Sequence, residues 1–509
     1  MASSVHRWLG VGFLTHGNLS SADLCIFDPD AKLLDYHLDD NQLLRLDESQ
    51  DCPLLQKSDK GFMMSRRWVS CDPKDLAIQQ GTVQFLAVAS ERPLVAGVSL
   101  QENGVVTEQA FARVIPPVMP QSEAHDIGLF SYDFVTAGVE VPGALTTLWC
   151  ELQPIPDVLL QRVHHLVKLE PIIPDSPYDR LVHHVRLQKC DLLESAAFSG
   201  PCSDRHFVPE HVRRCQTVQA AWVLGTEAIV LPPEAGIRIG GRGTVHYNNP
   251  NLTTGIIDSS GLRLSFTPEL RPFDAAMMAV GTHWSDSMMI PPGQLDFPLT
   301  GFCTPECTSA FPSTGIKIFG SLLHAHLTVT KIWTSIYRQG RLIGQLNRDD
   351  NYWPFWQRLS HFDPPLQILP GDTLATTCLH DTRDRTAPTY SGLGLDEEMC
   401  INYLLYYPAV DIESCRSEVH NASLYDFIEK RMPADANLSS PRTTAGDLAE
   451  LHWSEDDIVA LRELYASAPL NVHCLRETGV AVNEEHDWTN VELPSVTEAS
   501  LDDPDRTHC

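Results

Sequence analysis

Three histidine clusters and one methionine carry the side chains with the most evident chemistry: Val182-His183-His184, Val245-His246-Tyr247, His324-Ala325-His326, and Met399 within Leu395-Asp396-Glu397-Glu398-Met399-Cys400. Imidazole suits copper in either oxidation state, whereas a thioether favours the soft monovalent ion, so two histidines with a methionine describe a site that holds copper through a redox cycle. Together the clusters read as two copper sites. Alternate side chains of a strand share a face, so His324 and His326 project together and a distant Met399 can complete their set. His183 and His184 are harder to combine, because neighbours in a regular strand point to opposite faces. They share one ion only if the backbone twists or each ring uses a different nitrogen. His164-His165 has the same look, and periodicity gives no reason to prefer either pair.

The elements that must position these groups are strands. Short β-branched and aromatic runs punctuated by Gly, Pro, Asn and Asp dominate from Trp8 to Pro408, a mainly β, sandwich-like pattern. Residues 1–93 read as a first sandwich and 94–139 as a linker passing through Ile115-Pro116-Pro117-Val118-Met119-Pro120. Residues 140–300 and 301–415 read as two metal-binding, jelly-roll-like sandwiches, and 416–509 as a short helical extension with an acidic strap. Helices are expected at Leu424–Lys430 and Glu455–Ser467, the second capped by Ser454 ahead of acidic first-turn residues. On the period-two run around Tyr403, Tyr403 and Tyr407 share one face and Tyr406 takes the other; Tyr403 and Tyr406 are the substrate-side candidates.

At 509 residues, with 43% hydrophobic and 20% charged content, the chain is globular and of several domains. A formal net charge of −29 repels phosphate backbones and argues against nucleic acid. No apolar run reaches membrane-spanning length, since Phe85 to Val98 is broken by Glu91 and Arg92. Fourteen cysteines admit zinc, reduced thiols or disulfides, although Cys303-x-x-x-Cys307 is the only close pair and no second follows at finger-like distance. Four Asn-x-Ser/Thr sequons, at Asn18, Asn251, Asn421 and Asn437, agree with passage through the secretory pathway. Met1-Ala2-Ser3-Ser4-Val5-His6-Arg7 has no apolar core of leader length, so the expectation is an N-terminally truncated chain of a secreted or vesicle-lumen protein.

From Trp8-Leu9-Gly10-Val11-Gly12-Phe13 onward, almost the whole chain resembles the copper type II, ascorbate-dependent monooxygenases, the family of the dopamine β-hydroxylases, the peptidylglycine hydroxylases and the monooxygenase X proteins. The stretches that carry the resemblance include Ala22-Asp23-Leu24, Ser70-Cys71-Asp72-Pro73-Lys74-Asp75, Pro232-Pro233-Glu234-Ala235-Gly236, Asp258-Ser259-Ser260-Gly261 and Glu397-Glu398-Met399-Cys400-Ile401-Asn402-Tyr403, in addition to the histidine clusters. The dopamine-hydroxylase-like, monooxygenase X branch fits best, because it carries the N-terminal DOMON module to which residues 1–93 are similar. The resemblance implies His183, His184 and His246 as ligands of an electron-transfer copper, and His324, His326 and Met399 as ligands of a dioxygen-binding copper, with His324 at the catalytic centre. It implies two copper ions per chain held apart, ascorbate as reductant and dioxygen as oxidant. It leaves His164 and His165 as half-buried strand residues. It also implies disulfides joining Cys150 with Cys202, Cys190 with Cys215, Cys303 with Cys415, Cys307 with Cys474, Cys378 with Cys400 and Cys71 with Cys509, a set that belongs to an oxidising compartment. Cys25 and Cys52 are left over, as buried thiols or as a mutual pair.

The chain departs from the family at three places. Leu148, in Thr146-Thr147-Leu148-Trp149-Cys150, stands where relatives have a tyrosine treated as an active-site residue. Leu322 stands where the peptide hydroxylase has a carboxylate-binding arginine, which argues against a peptide C-terminus. Ala279 stands where dopamine β-hydroxylase has a glutamate suited to an ammonium, which makes dopamine itself doubtful. The reading is therefore a monooxygenase hydroxylating a C–H bond of a small, phenethylamine-like amine. The alternative is a secreted copper-binding or interaction protein with reduced or lost hydroxylase activity. The partners expected are the small-molecule amine and, in a homo-oligomer, further copies of the chain.

Overall fold

The computed structural model describes most of residues 8–496. Outside the described residues lie 1–7, 113–127, 174–181, 190–196, 203–207, 214–216, 240–243, 249–256, 432–452 and 497–509, together with isolated short gaps elsewhere, and for 244–248 only the backbone is described. The chain is mainly β and divides into two compact units, one drawn from residues 1–116 and 348–353 and the other from 117–347 and 354–498.

The first unit is built on a six-stranded antiparallel sheet. Trp8–Thr15 lies between Asn18–Phe27 and Val83–Ser90, with Val105–Ala112 at one edge and Leu33–Leu38 followed by Leu44–Leu46 at the other. Its core is Trp8, Leu14, Leu24, Ile26, Leu44, Leu86 and Val88. Alternation sets these residues on one face: Leu24 and Ile26 are buried two apart, as are Leu86 and Val88. Cys25 and Cys52, unassigned by the sequence, form a disulfide. Thr82 donates to both carboxylate oxygens of Asp349, at 3.0 Å from its amide and 2.6 Å from its hydroxyl. Gly81 has φ +108°, and a Cβ there would stand 2.3 Å from the same carboxylate, so only glycine fits.

The second unit holds one large sheet and two four-stranded sheets. Within the large sheet, Cys400–Tyr407 runs antiparallel between Ile316–Ala325 and Phe273–Thr282. One four-stranded sheet contains Thr146–Thr147, Thr244–Asn248, His184–Lys189 and Thr217–Val223, in that order. A shared core of Leu166, Val185, Trp222, Phe266, Leu322, Leu405 and Tyr407 packs these two sheets together. Gly301 and Gly281 approach so closely that a Cβ on the first would lie 2.0 Å from the backbone carbon of the second, and this contact sets Phe297–Cys303 against the Phe273–Thr282 strand.

Four of the implied disulfides are present as expected: Cys150–Cys202, Cys303–Cys415, Cys307–Cys474 and Cys378–Cys400. Cys71 is disulfide-bonded, while Cys190, Cys215 and Cys509 lie outside the described residues. Helices form at Asn421–Glu429 and Glu455–Ser467. The first starts three residues before its expected position, and the second matches its expected bounds. Ser454 and Asp457 close a reciprocal capping box at the start of the second helix. Among the described residues no helix is long and apolar enough to cross a membrane.

Candidate metal centres

His183 escapes the opposite-face problem by sitting just outside the strand. The strand begins at His184, while His183 is held by the amide of Leu224 donating to its carbonyl at 2.8 Å. The two Nδ1 atoms then stand 3.2 Å apart with the rings inclined at 70°. That separation suits two nitrogens bound to one ion at roughly 2.0–2.1 Å each. The Nε2–H of His183 donates to the carbonyl of Pro354 at 3.0 Å, which leaves Nδ1 as its free donor. His246 lies on the adjacent strand, directly in register with His184.

The second cluster has the opposite polarity. His324 is the penultimate residue of the Ile316–Ala325 strand and His326 follows one residue past its end, with ring centroids 5.4 Å apart. His324 Nδ1 donates to Gln357 Oε1 at 2.9 Å, and His326 Nδ1 donates to the carbonyl of Glu397 at 2.9 Å. Each ring therefore turns Nε2 away from its hydrogen bond. Ala325 pairs with Cys400, the residue after Met399, and the amides of His326 and Met399 donate to one and the same carboxylate oxygen of Glu398. Burial, followed by the neighbouring His326, pushes His324 down to about 3, and burial also pushes His183 below its ordinary value. Both rings are neutral at pH 7 and keep their lone pairs for a metal.

Three residues that the sequence reading did not single out position these rings. Glu398 is 1% exposed: its Oε2 accepts from the amides of His326 and Met399, both at 3.1 Å, and its Oε1 accepts from the amide of Thr328 at 2.5 Å and its hydroxyl at 2.8 Å. One carboxylate thus fixes the backbone at two members of the methionine cluster. Gln357, 2% exposed, accepts from His324 and donates to Pro354 O at 2.9 Å, the carbonyl that also accepts from His183. A single Pro354–Gln357 link therefore touches a ring of each cluster.

One ring of each cluster approaches the other. The rings of His184 and His324 are 6.5 Å apart, because the His184–Lys189 strand faces the Ile316–Ala325 strand across the shared core. Tyr403 is on this face, its ring 6.0 Å from that of His324, with Leu322 and Ala279 as its two cross-strand neighbours. The three positions thus form one row. Tyr406, expected on the substrate side, is instead fully buried on the opposite face, its hydroxyl donating to the carbonyls of Val410 and Ile412. The odd–even alternation that brings Tyr403 to the site removes Tyr406 from it. Tyr407 shares the Tyr403 face but donates to Glu234 at 2.6 Å. Leu148 is half-buried beside Thr147, which pairs with Tyr247 next to His246. His164 and His165 are both fully buried rather than half-buried; His165 bonds Asp274 at 2.8 Å and accepts from the Arg271 amide at 3.0 Å. Of the sequons, Asn421 is exposed at the start of its helix, Asn18 is on a strand, and Asn251 and Asn437 lie outside the described residues.

Imidazole rings held by fixed partners at His183, His324 and His326, with the thioether residue Met399 tied to His326 through Glu398, form a donor set that fits copper. Residues 132–254 match the copper type II ascorbate-dependent monooxygenase N-terminal domain, and residues 273–427 match the C-terminal domain of the same family. Tyramine β-hydroxylase of Caenorhabditis briggsae is 33% identical, over 97% of this chain and 87% of that protein. Dopamine β-hydroxylase of Bos taurus is 35% identical over 98% and 83%, and DBH-like monooxygenase protein 1 of Gallus gallus is 32% identical over 92% and 80%. The chain belongs to the copper type II ascorbate-dependent monooxygenases. It is an oxidoreductase that works with copper, ascorbate and dioxygen, and two coppers per chain is the norm of that family.

Proposed function

We propose that the chain hydroxylates a C–H bond of a small, phenethylamine-like amine, with His183, His184 and His246 holding one copper and His324, His326 and Met399 the other. The observation that carries this reading is the orientation set by each fixed partner: His183 is held through its Nε2–H and turns Nδ1 toward His184, whereas His324 and His326 are held through Nδ1 and turn Nε2 away. Bound copper supplies dioxygen activation and one-electron transfer. The chain supplies the rest. Pro354 and Gln357 hold the His183 and His324 tautomers, Glu398 fixes the backbone at His326 and Met399, and the Tyr403 face offers the surface on which a substrate lies. The amine assignment is supported by relatives whose names specify tyramine and dopamine and by a net charge of −29, which favours cationic ligands.

The same reading takes residues 1–93 as a DOMON module and the protein as one of the secretory pathway, in keeping with its disulfides. Ascorbate-dependent oxygen uptake across a panel of phenethylamines tests the function. Uptake stimulated by at least one amine, and absent in His326→Ala, is the expected result. Copper-loaded protein with no substrate-stimulated uptake would instead favour a copper-binding protein without hydroxylase activity.

A further inference from the structure

A cleft of about 210 Å³ opens in the second unit between the start of the Thr217–Val223 strand, the start of Phe273–Thr282 and the segment 409–413. A single water needs roughly 10–15 Å³ and a drug-sized ligand about 300–1,000 Å³, so the cleft suits a small organic molecule. Its floor is apolar, formed by the buried side chains of Ile237, Ala275, Met277 and Ile412. None of the six candidate copper ligands lines it, and neither does Tyr403.

The wall of the cleft carries Glu413, whose backbone is fixed on both sides: its amide donates to the Leu475 carbonyl and its carbonyl accepts from the Ala279 amide, both at 2.9 Å. Glu413 Oε1 accepts from the Val218 amide at 3.1 Å, while Oε2 has no partner among the described residues. No described cation pairs with it either. Arg238 donates to Asp274 at 3.2 Å, Arg476 donates to Asp411 at 2.7 Å, and Arg416 donates to Ser414 at 2.7 Å while lying over the Trp284 ring. The exposed Glu477 adds a second negative charge to the lining. Burial raises the Glu413 carboxyl above its usual range, and Glu477 adds to the rise. A carboxylate held in place, half out of water and without a counter-ion, is a state that a bound cation relieves.

A hard metal ion is a poor match, because it takes about six or more oxygen ligands and an apolar floor supplies none. A primary ammonium on a short hydrocarbon body matches both surfaces: it donates a charge-assisted hydrogen bond and covers apolar area. We infer that this cleft is the seat of a small organic ammonium, its nitrogen on Glu413 Oε2 and its hydrocarbon body on the floor of Ile237, Ala275, Met277 and Ile412. The inference goes beyond the proposed reaction and does not rest on it, since no candidate copper ligand takes part.

The test is a ligand-observed NMR titration of the copper-loaded full chain, without oxygen or ascorbate, using cyclohexylmethylamine, the neutral cyclohexylmethanol and the anion cyclohexanecarboxylate. The ammonium is expected to bind saturably, the alcohol at least about tenfold more weakly and the carboxylate not at all. Glu413→Gln keeps an acceptor for the Val218 amide and removes the charge, so it should weaken the ammonium roughly ten- to hundredfold, with copper stoichiometry and thermal unfolding like the parent. Glu413→Asp should fall between the two, and Glu477→Gln should weaken binding only a few-fold, because its charge is exposed. Absence of saturable ammonium binding, equal affinity for ammonium and alcohol, or affinity unchanged in Glu413→Gln overturns the inference. If Glu413→Gln does not fold, unchanged affinity in Glu413→Asp overturns it as well. An amine held only at the copper face would be lost in His326→Ala and insensitive to Glu413→Gln, which also overturns the inference while leaving the copper assignment standing.

Discussion

Glu398→Gln changes one atom type at the point where the methionine cluster is held together. The carboxylate accepts four hydrogen bonds, two on each oxygen, from His326, Met399 and both donors of Thr328. An amide has a single acceptor oxygen, so in either orientation two of the four donors face an NH2 group and lose their partner. Hydrogen bonds to a charged group are worth about 1.5–3 kcal/mol each, so two independent losses would cost about 3–6 kcal/mol; bonds sharing one carboxylate are not independent, and about 3 kcal/mol is the expectation. Part of the loss appears as a lower unfolding temperature. The rest appears at the metal, where loss of the groups that orient ligands typically costs 10–100-fold in affinity. Competition titration with a cuprous chelator should show weakened binding at the Met399 site and unchanged binding at the His183 site. Parent-like affinity and unfolding temperature in Glu398→Gln would refute the view that this carboxylate sets the cluster.

Further outcomes follow from the same geometry. Gln357→Leu should weaken the methionine-side copper roughly 10–100-fold, since the Nδ1–H of His324 loses its acceptor, with a smaller change at the other site through Pro354; cuprous-chelator competition reads both, and equal parent-like affinities would count against the link. In the first unit, burial and then the hydrogen bond with Asp51 raise Asp35 from 3.8 to about 8. The folded state therefore keeps a proton that the unfolded chain releases near its ordinary value, and stability is lost as pH rises through that window. Chemical denaturation in the presence of a chelator should show this unit more stable near about pH 5 than about pH 8, with the slope flattened in Asp35→Asn; a rising profile would contradict the assignment. Leu148→Tyr should raise ascorbate-driven hydroxylation by less than about a hundredfold without altering copper stoichiometry; an unchanged or lowered rate with the fold preserved would make Leu148 a packing residue.

Some of this site was legible in the sequence because local rules reach it. Period-two alternation brings His324 and His326 together and separates Tyr403 from Tyr406, although choosing which tyrosine faces the site needed the structure. The Ser454 cap follows from residue type and spacing in the same way. His183 and His184 were not legible, because their approach depends on where the strand begins. Gln357 reaches His324 across 33 residues, Glu398 reaches His326 across 72, and Pro354 reaches His183 across 171. No spacing rule predicts such contacts; they arise where packed sheets bring loops together. A buried polar residue just before a candidate ligand, as Glu398 is before Met399, is the one signal that could have directed attention there.

The most direct test of the two-centre assignment is anaerobic copper loading of the full chain, read by metal analysis and by X-ray absorption of the cuprous protein. The expected result is two coppers per chain with a sulfur scatterer at one of them. Met399→Ile should abolish the sulfur signal and weaken that site, while the histidine site stays loaded. A stoichiometry near zero, or a sulfur signal that survives Met399→Ile, would contradict the assignment.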